Sequence, residues 1–171
     1  LACICTTNSA YTRLESQGQS CISTLMNDKL MIKSITGRCL AVRTLSAARA
    51  ISRRYDTALR PVGLTISQFT LLAAIAQTRP NASSEIAERL SMERTSLTRG
   101  AKLLEASDLI ERSGEAGTRK RALRITDKGL SLLREAYPLW EKAQLETEAL
   151  LGDEIDETNR FLNLLRNGPL S

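Results

Sequence analysis

Arg94, Thr95, Ser96, Thr98, Arg99 and Lys102 lie close together in the chain and share one chemistry. They offer hydrogen bonds and positive charge, and no carboxylate interrupts them. Guanidinium and ammonium groups pair with phosphate, and an arginine fork also fits the acceptor edge of guanine. A second cationic group, Thr118-Arg119-Lys120-Arg121 with Arg124, follows Gly114 and Gly117. Both groups suit a polyanion better than a small substrate. Reaction chemistry has no comparable set of residues. The chain contains no His, so Ser-His-Asp and Cys-His machinery is excluded. It has no P-loop and no Gly-rich dinucleotide turn. Asp153-Glu154 stands at an acidic helix start, the ordinary place for paired carboxylates. Cys3-x-Cys5 has no partner pair at zinc spacing. The expectation is no enzyme, no cofactor and no metal.

The elements that must hold these cations can be read from periodicity. From Arg94 onward, Leu97, Ala101 and Leu104 recur every three or four residues and would bury one helix face, leaving Thr95, Ser96, Thr98, Arg99 and Lys102 outside. A shorter helix precedes it, capped by Ser83 or Ser84. After Leu109-Ile110 the chain turns at Gly114 and Gly117 and returns through Arg119 to Ile125. Alternation there, with Ala122 and Arg124 on one face, predicts a hairpin whose tip is cationic. The order helix, turn, helix, hairpin is a winged helix-turn-helix, whose simplest use is to grip duplex DNA.

Around this lobe the pattern is helical. From about Gly37 to Arg60, Leu45, Ala48, Ile51 or Ser52, Tyr55, Leu59 and Val62 form one stripe, ended by Pro61 and Gly63. Thr65 and Gln68 form a capping box for a nearly all-apolar helix running to Gln77. Thr126-Asp127 opens a long helix with a stripe through Leu130, Leu133, Tyr137, Trp140, Gln144, Thr147 and Leu151. Pro138 should bend or split it. A last helix follows Gly152, with Ile155, Phe161, Leu162 and Leu165 on its face, and stops at Asn167-Gly168-Pro169. Residues 1–36 lack clear periodicity and read as an extension with one possible helical turn. The resulting division is an extension (1–36), an N-terminal dimerisation helix (37–64), a DNA-binding lobe (65–127) and C-terminal dimerisation helices (128–171). The terminal helices carry more apolar surface than one lobe can cover. A second copy is the expected cover, which sets two reading heads about 34 Å apart on a pseudo-palindrome.

Composition agrees with a mainly α fold. The chain has 171 residues, 42% apolar, 25% charged and only 4% aromatic. Its net charge of +5 is unevenly spread: +7 over residues 1–80 (10 cations, 3 acids), +2 over 81–130 (10 and 8) and −4 over 131–171 (4 and 8). The acidic C-terminal part should therefore face away from a polyanion. No apolar run approaches the roughly 18 residues a membrane helix needs. Leu1 to Cys5 is too short for a signal core. The chain reads as a cytoplasmic protein without a membrane partner. Cys3, Cys5, Cys21 and Cys39 make a poor disulfide framework.

Leu90-Ser91-Met92-Glu93-Arg94-Thr95-Ser96-Leu97-Thr98-Arg99, followed by Leu104 to Ile110, resembles the recognition segment of MarR-type bacterial transcriptional regulators. Tyr55-Asp56 and Leu64 to Phe69 resemble that family's first helices, and Leu123 to Gly129 its returning strand. The likeness runs from about Leu40 to Asn167. It implies a repressor that dimerises through its N- and C-terminal helices, reads double-stranded DNA and responds to an aromatic acid or phenol. On the matching segments it implies DNA contacts by Ser84, Arg94, Thr95, Ser96, Thr98, Arg99, Lys102, Thr118, Arg119, Lys120 and Arg121. The family's wing usually carries Asp-x-Arg, whereas this chain has Gly117-Thr118-Arg119, an arginine without its carboxylate. Tyr55, Tyr137 and Trp140 are either core and dimer seam or the lining of the family's ligand pocket. Cys39 follows Arg38 near an expected helix N-terminus, where a thiolate is favoured. A redox-responsive regulator, or a winged helix that docks proteins without DNA, are the alternative readings.

Overall fold

A computed structural model describes residues 27–77, 83–113 and 122–168. The chain divides into two units, Leu1–Ala48 and Arg49–Ser171. In the first, residues 27–38 are helical (α1) and the helix α2 (Leu40–Leu59) begins. Helix thus extends well before Gly37. Cys39 stands between the two helices: its amide donates to the Ile35 carbonyl at 3.0 Å, and its own carbonyl accepts from the Arg43 amide at 3.2 Å.

The second unit continues α2 and adds α3 (Ile66–Gln77), α4 (Ser83–Arg89), α5 (Arg94–Ala106), β1 (Ile110–Ser113), β2 (Ala122–Ile125), α6 (Asp127–Leu151) and α7 (Ile155–Asn167). A 3-10 turn at Arg60–Val62 closes α2, and Gly63 takes the left-handed φ of 69° that releases the chain into α3. The start of α3 is fixed as its sequence predicts. The Thr65 amide donates to Gln68 Oε1 at 2.9 Å and the Gln68 amide to Thr65 Oγ1 at 3.3 Å. Asp56 on α2 adds a carboxylate acceptor for the Ile66 amide at 2.7 Å.

Phe69, Leu71, Leu72, Ala74 and Ile75 of α3 are buried, so this helix forms the middle of the core. Leu97, Ala101 and Leu104 of α5 close over it, as their spacing predicts. Gly100 brings α5 close, since a Cβ there would meet Leu71 Cδ2 at 2.8 Å. The strands pair antiparallel with Ile110 opposite Ile125 and Glu111 opposite Arg124. Alternation on β2 is incomplete. Ala122 and Leu123 are both buried, and Leu123 belongs to the core.

The long helix departs from its expected face. Its buried positions are Gly129, Ala136 and Ala143, spaced by seven, while Tyr137 is exposed. Small residues at that spacing let the backbone approach the core, and Leu132, Leu133, Leu139 and Trp140 pack beside them. Trp140 stacks on Phe69, with centroids 6.0 Å apart and planes 22° apart. Pro138 does not split α6, which runs through it for 25 residues. Proline costs one backbone hydrogen bond there, and packing on both sides of it keeps the helix whole. Among the described residues, no single helix is long and apolar enough to cross a membrane.

Candidate nucleic-acid interface

The turn that sets α5 against α4 is built without glycine. Ser91 takes a φ of 50°, and the amides of Ser91 and Met92 return to the carbonyls of Glu88 (3.0 Å) and Ala87 (2.8 Å). This paired bonding satisfies the end of α4 and redirects the chain. α5 then opens at Glu93, which makes no side-chain cap bond, and its first turn contains no acid. The leading amides of α5 therefore remain available to an anion, with Arg94 beside them.

Arg94, Thr95, Thr98, Arg99 and Lys102 line one concave surface of about 390 Å³ on the outer side of α5. All five are exposed. Among the described residues Arg94, Arg99 and Lys102 are in no ion pair, so their charge is open to an incoming polyanion. Thr98 donates its hydroxyl to the Arg94 carbonyl at 2.8 Å, which leaves its oxygen as an acceptor. Ser96 is exposed on the same helix but outside this surface. α4 begins at Ser83, so Ser84 falls within its first turn, exposed and apart from the α5 group. Gly114, Gly117, Thr118, Arg119, Lys120 and Arg121 lie outside the described residues. Arg124, at the root of the hairpin, is exposed opposite Glu111.

The C-terminal end of α5 is braced against α6. Asp108 takes a φ of 58°, and the amides of Asp108 and Leu109 each donate at 3.0 Å to the carbonyls of Glu105 and Leu104. Thr126 donates its hydroxyl to the Asp108 carbonyl at 2.8 Å and accepts from the Gly129 amide at 3.0 Å, so it caps α6 while holding the end of α5. Its amide donates to the Leu109 carbonyl at 3.1 Å. Lys128 donates to the Ser107 carbonyl at 2.9 Å. A Cβ on Gly129 would lie 2.1 Å from the Leu109 oxygen. Hydrophobic periodicity gives no signal of this brace; the Thr126-x-x-Gly129 spacing is its only trace in the sequence.

A second concavity, about 670 Å³, lies between α2 and α6. Ala50, Ala58, Leu139 and Ala143 supply apolar lining, and Arg53, Arg54, Lys142, Glu146, Thr57 and Thr147 supply polar groups. None of the three candidate aromatic residues lines it. Tyr55 is buried and donates its hydroxyl to Gln144 Oε1. Trp140 belongs to the core stack, and Tyr137 lies outside, donating to Glu141 at 2.8 Å. That bond, with the carboxylate charge, holds the Tyr137 phenol above its ordinary pKa. Arg53 and Arg54 lie off the apolar stripe of α2, and nothing in their spacing marks them as cleft lining. Cys39 is half-buried and directly precedes Leu40, the first residue of α2, with its amide donating to the Ile35 carbonyl.

Against known proteins, residues 62–122 match the model of the MarR family. The HTH-type transcriptional regulator YwoH of Bacillus subtilis (strain 168) is 30% identical over 138 residues, spanning 78% of this chain and 96% of YwoH. The M. tuberculosis transcriptional regulator MosR, solved in complex with DNA, superposes with a TM-score of 0.69 at 36% identity, covering 75% of this chain and 94% of MosR. The transcriptional repressor CouR, solved bound to p-coumaroyl-CoA, has a TM-score of 0.70 at 23% identity, covering 79% and 96%, a likeness of fold. A mainly helical winged helix-turn-helix with an open cationic reading helix is the architecture of a DNA-binding transcriptional regulator, not of an enzyme. The chain belongs to the MarR family.

Proposed function

We propose that this regulator is a homodimeric repressor that covers a pseudo-palindromic operator and leaves it when a small aromatic acid binds. The observation that carries the reading is the outer surface of α5, where Arg94, Arg99 and Lys102 stand unpaired beside Thr95 and Thr98. In the major groove Arg99 would read a guanine, and Arg94 and Lys102 would hold phosphates. Ser84 and Ser96 would add hydroxyl contacts at the edges. Thr118, Arg119, Lys120 and Arg121 would reach the adjacent backbone from the wing. Repression would follow from occupancy, since a bound dimer and polymerase compete for the same duplex.

Dimerisation is supported by α7, which buries none of its own residues and exposes Phe161, Leu162, Leu164 and Leu165. The effector is supported by the α2–α6 cleft, whose volume suits a small molecule and whose apolar floor with cationic rim suits an aromatic carboxylate. A ligand wedged there would favour one spacing of the reading heads over another, which is all that release requires. Acting on DNA, the protein would work in the cytoplasm.

Fluorescence anisotropy on duplex from the protein's own upstream region tests this, run across salt with wild type and Arg99→Ala and repeated with benzoate or 4-hydroxybenzoate added. Sub-micromolar binding with a steep negative salt slope is expected. Arg99→Ala should lose roughly 1–3 kcal/mol and blur sequence preference. Absence of salt-dependent binding to any duplex would convert the winged helix into a protein-docking module. Unchanged affinity in both acids would remove these effectors.

A further inference from the structure

Leu103 departs from the burial pattern of the helix that carries the cations. The other leucines of α5, Leu97 and Leu104, are 5% and 1% exposed, whereas Leu103 is 56% exposed. Its direction is fixed by the packing around it. Gly100 lies against α3, where a Cβ would meet Leu71 Cδ2 at 2.8 Å, so α5 cannot roll without parting from the core. Glu105 meets β1 through its 3.0 Å ion pair with Arg112. Two residues make about 200° of helical rotation, so Leu103 points away from that strand.

Neighbours on the same face decide what Leu103 can meet. Arg99 stands four residues before it and Ser96 seven, which sets the three on one strip of the helix. Ser96 and Arg99 are exposed as well. Arg99 also lines the cationic concavity, so the strip borders that surface. A lone exposed leucine is ordinary on a protein surface. On a strip turned toward a duplex it loses its water when the complex forms, and it then needs an apolar complement. The base edges of the major groove present donors and acceptors, and the one methyl group among them is the 5-methyl of thymine. Four residues of helix rise about 6 Å, while successive base pairs rise about 3.4 Å. The methyl group would stand within about two base pairs of the base that Arg99 meets.

We infer that Leu103 is a specificity-determining residue, which selects thymine through an apolar contact with its 5-methyl group. The inference rests on the reading above that sets α5 in the major groove. It gives sequence information to a side chain that has neither charge nor hydrogen bond to offer.

The test uses the full chain and a duplex that it selects itself. Selection from random duplexes, run with wild type and with Leu103→Ala, should yield one core sequence containing a thymine that only wild type fixes. Each thymine of the wild-type duplex is then replaced in turn by uracil, which removes the methyl group and keeps the pairing. One replacement should weaken wild type about fourfold, as loss of a buried methyl does, and should change Leu103→Ala less than about twofold. A purely structural role for Leu103 would not tie the loss to one methyl group. A wild type indifferent to uracil at every thymine, or a Leu103→Ala chain as sensitive as wild type, overturns the contact while α5 still reads the duplex. A Leu103→Ala chain weakened equally on every duplex, random ones included, places Leu103 in folding or assembly and also overturns it. A wild type that selects no sequence removes the groove reading, and the contact with it.

Discussion

Arg99 and Lys102 sit on one surface of one helix, but their chemistry predicts different losses. Arginine has a planar fork that can match two acceptors on a base edge, whereas lysine is a compact, strongly hydrated point charge. Lys102→Ala should therefore weaken every duplex alike and shrink the log–log salt slope by about one, as removal of a single phosphate contact does. Salt titrations on the operator and on an unrelated duplex check this. A loss confined to the operator would reassign Lys102 to base reading. Tyr137 gives a second test at this scale. Its phenol donates to Glu141, and that bond and the nearby charge favour the neutral form, raising its pKa. Glu141→Gln should bring ionisation back toward about 10, followed by ultraviolet titration. The cationic half of the α5 site was legible because its residues alternate cleanly with buried Leu97, Ala101 and Leu104. The roles of the tyrosines were not. Tyr55 and Tyr137 are both aromatic positions at helical spacing, and only packing distinguishes the buried one from the exposed one.

The helices themselves were read from periodicity, but the contacts between them were not. A stripe of large side chains marks what a helix prefers to bury, and α6 buries the small residues Gly129, Ala136 and Ala143 instead. Close backbone approach makes that choice, and it depends on the neighbouring element. Gly129 is the sharpest case, with the Leu109 carbonyl oxygen where a Cβ would stand. Gly129→Ala must push the start of α6 away and disturb the Thr126 cap. It should cost roughly 1–3 kcal/mol or more, measured by urea unfolding. Asp108→Gly should have the opposite sign. Asp108 holds a left-handed φ of 58°, and its ion pair with Lys128 is long (3.7 Å) and exposed. Relief of that conformation should outweigh the pair and leave stability unchanged or raised by up to about 1 kcal/mol. Substitutions at Lys128 and Thr126 act on this same brace, which joins the reading helix to α6. They would change DNA affinity without touching DNA.

Charge and apolar surface are unevenly sorted along the sequence. Residues 1–80 carry +7 and residues 131–171 carry −4, with α5 between them in the sequence. The exposed apolar side chains cluster at both ends: Leu30 to Leu45 in one and Leu145 to Leu165 in the other. A dimer joined through those ends presents two α5 surfaces to one face of a duplex and keeps its acids away from the phosphates. Its affinity is then the product of two weak grips held at fixed separation. Inserting five base pairs between the half-sites turns one of them to the far side of the helix, because a full turn takes about 10–10.5 base pairs. Only one reading head can then engage, and the gain from linking the two is lost. Binding to the altered duplex should fall by about 10²–10⁴-fold, to the level of a single half-site. Gel-shift titration of the two duplexes at equal salt measures it. If the five-base-pair insertion leaves affinity unchanged, the heads act independently, and the apolar ends of the chain must serve some contact other than a rigid dimer on DNA.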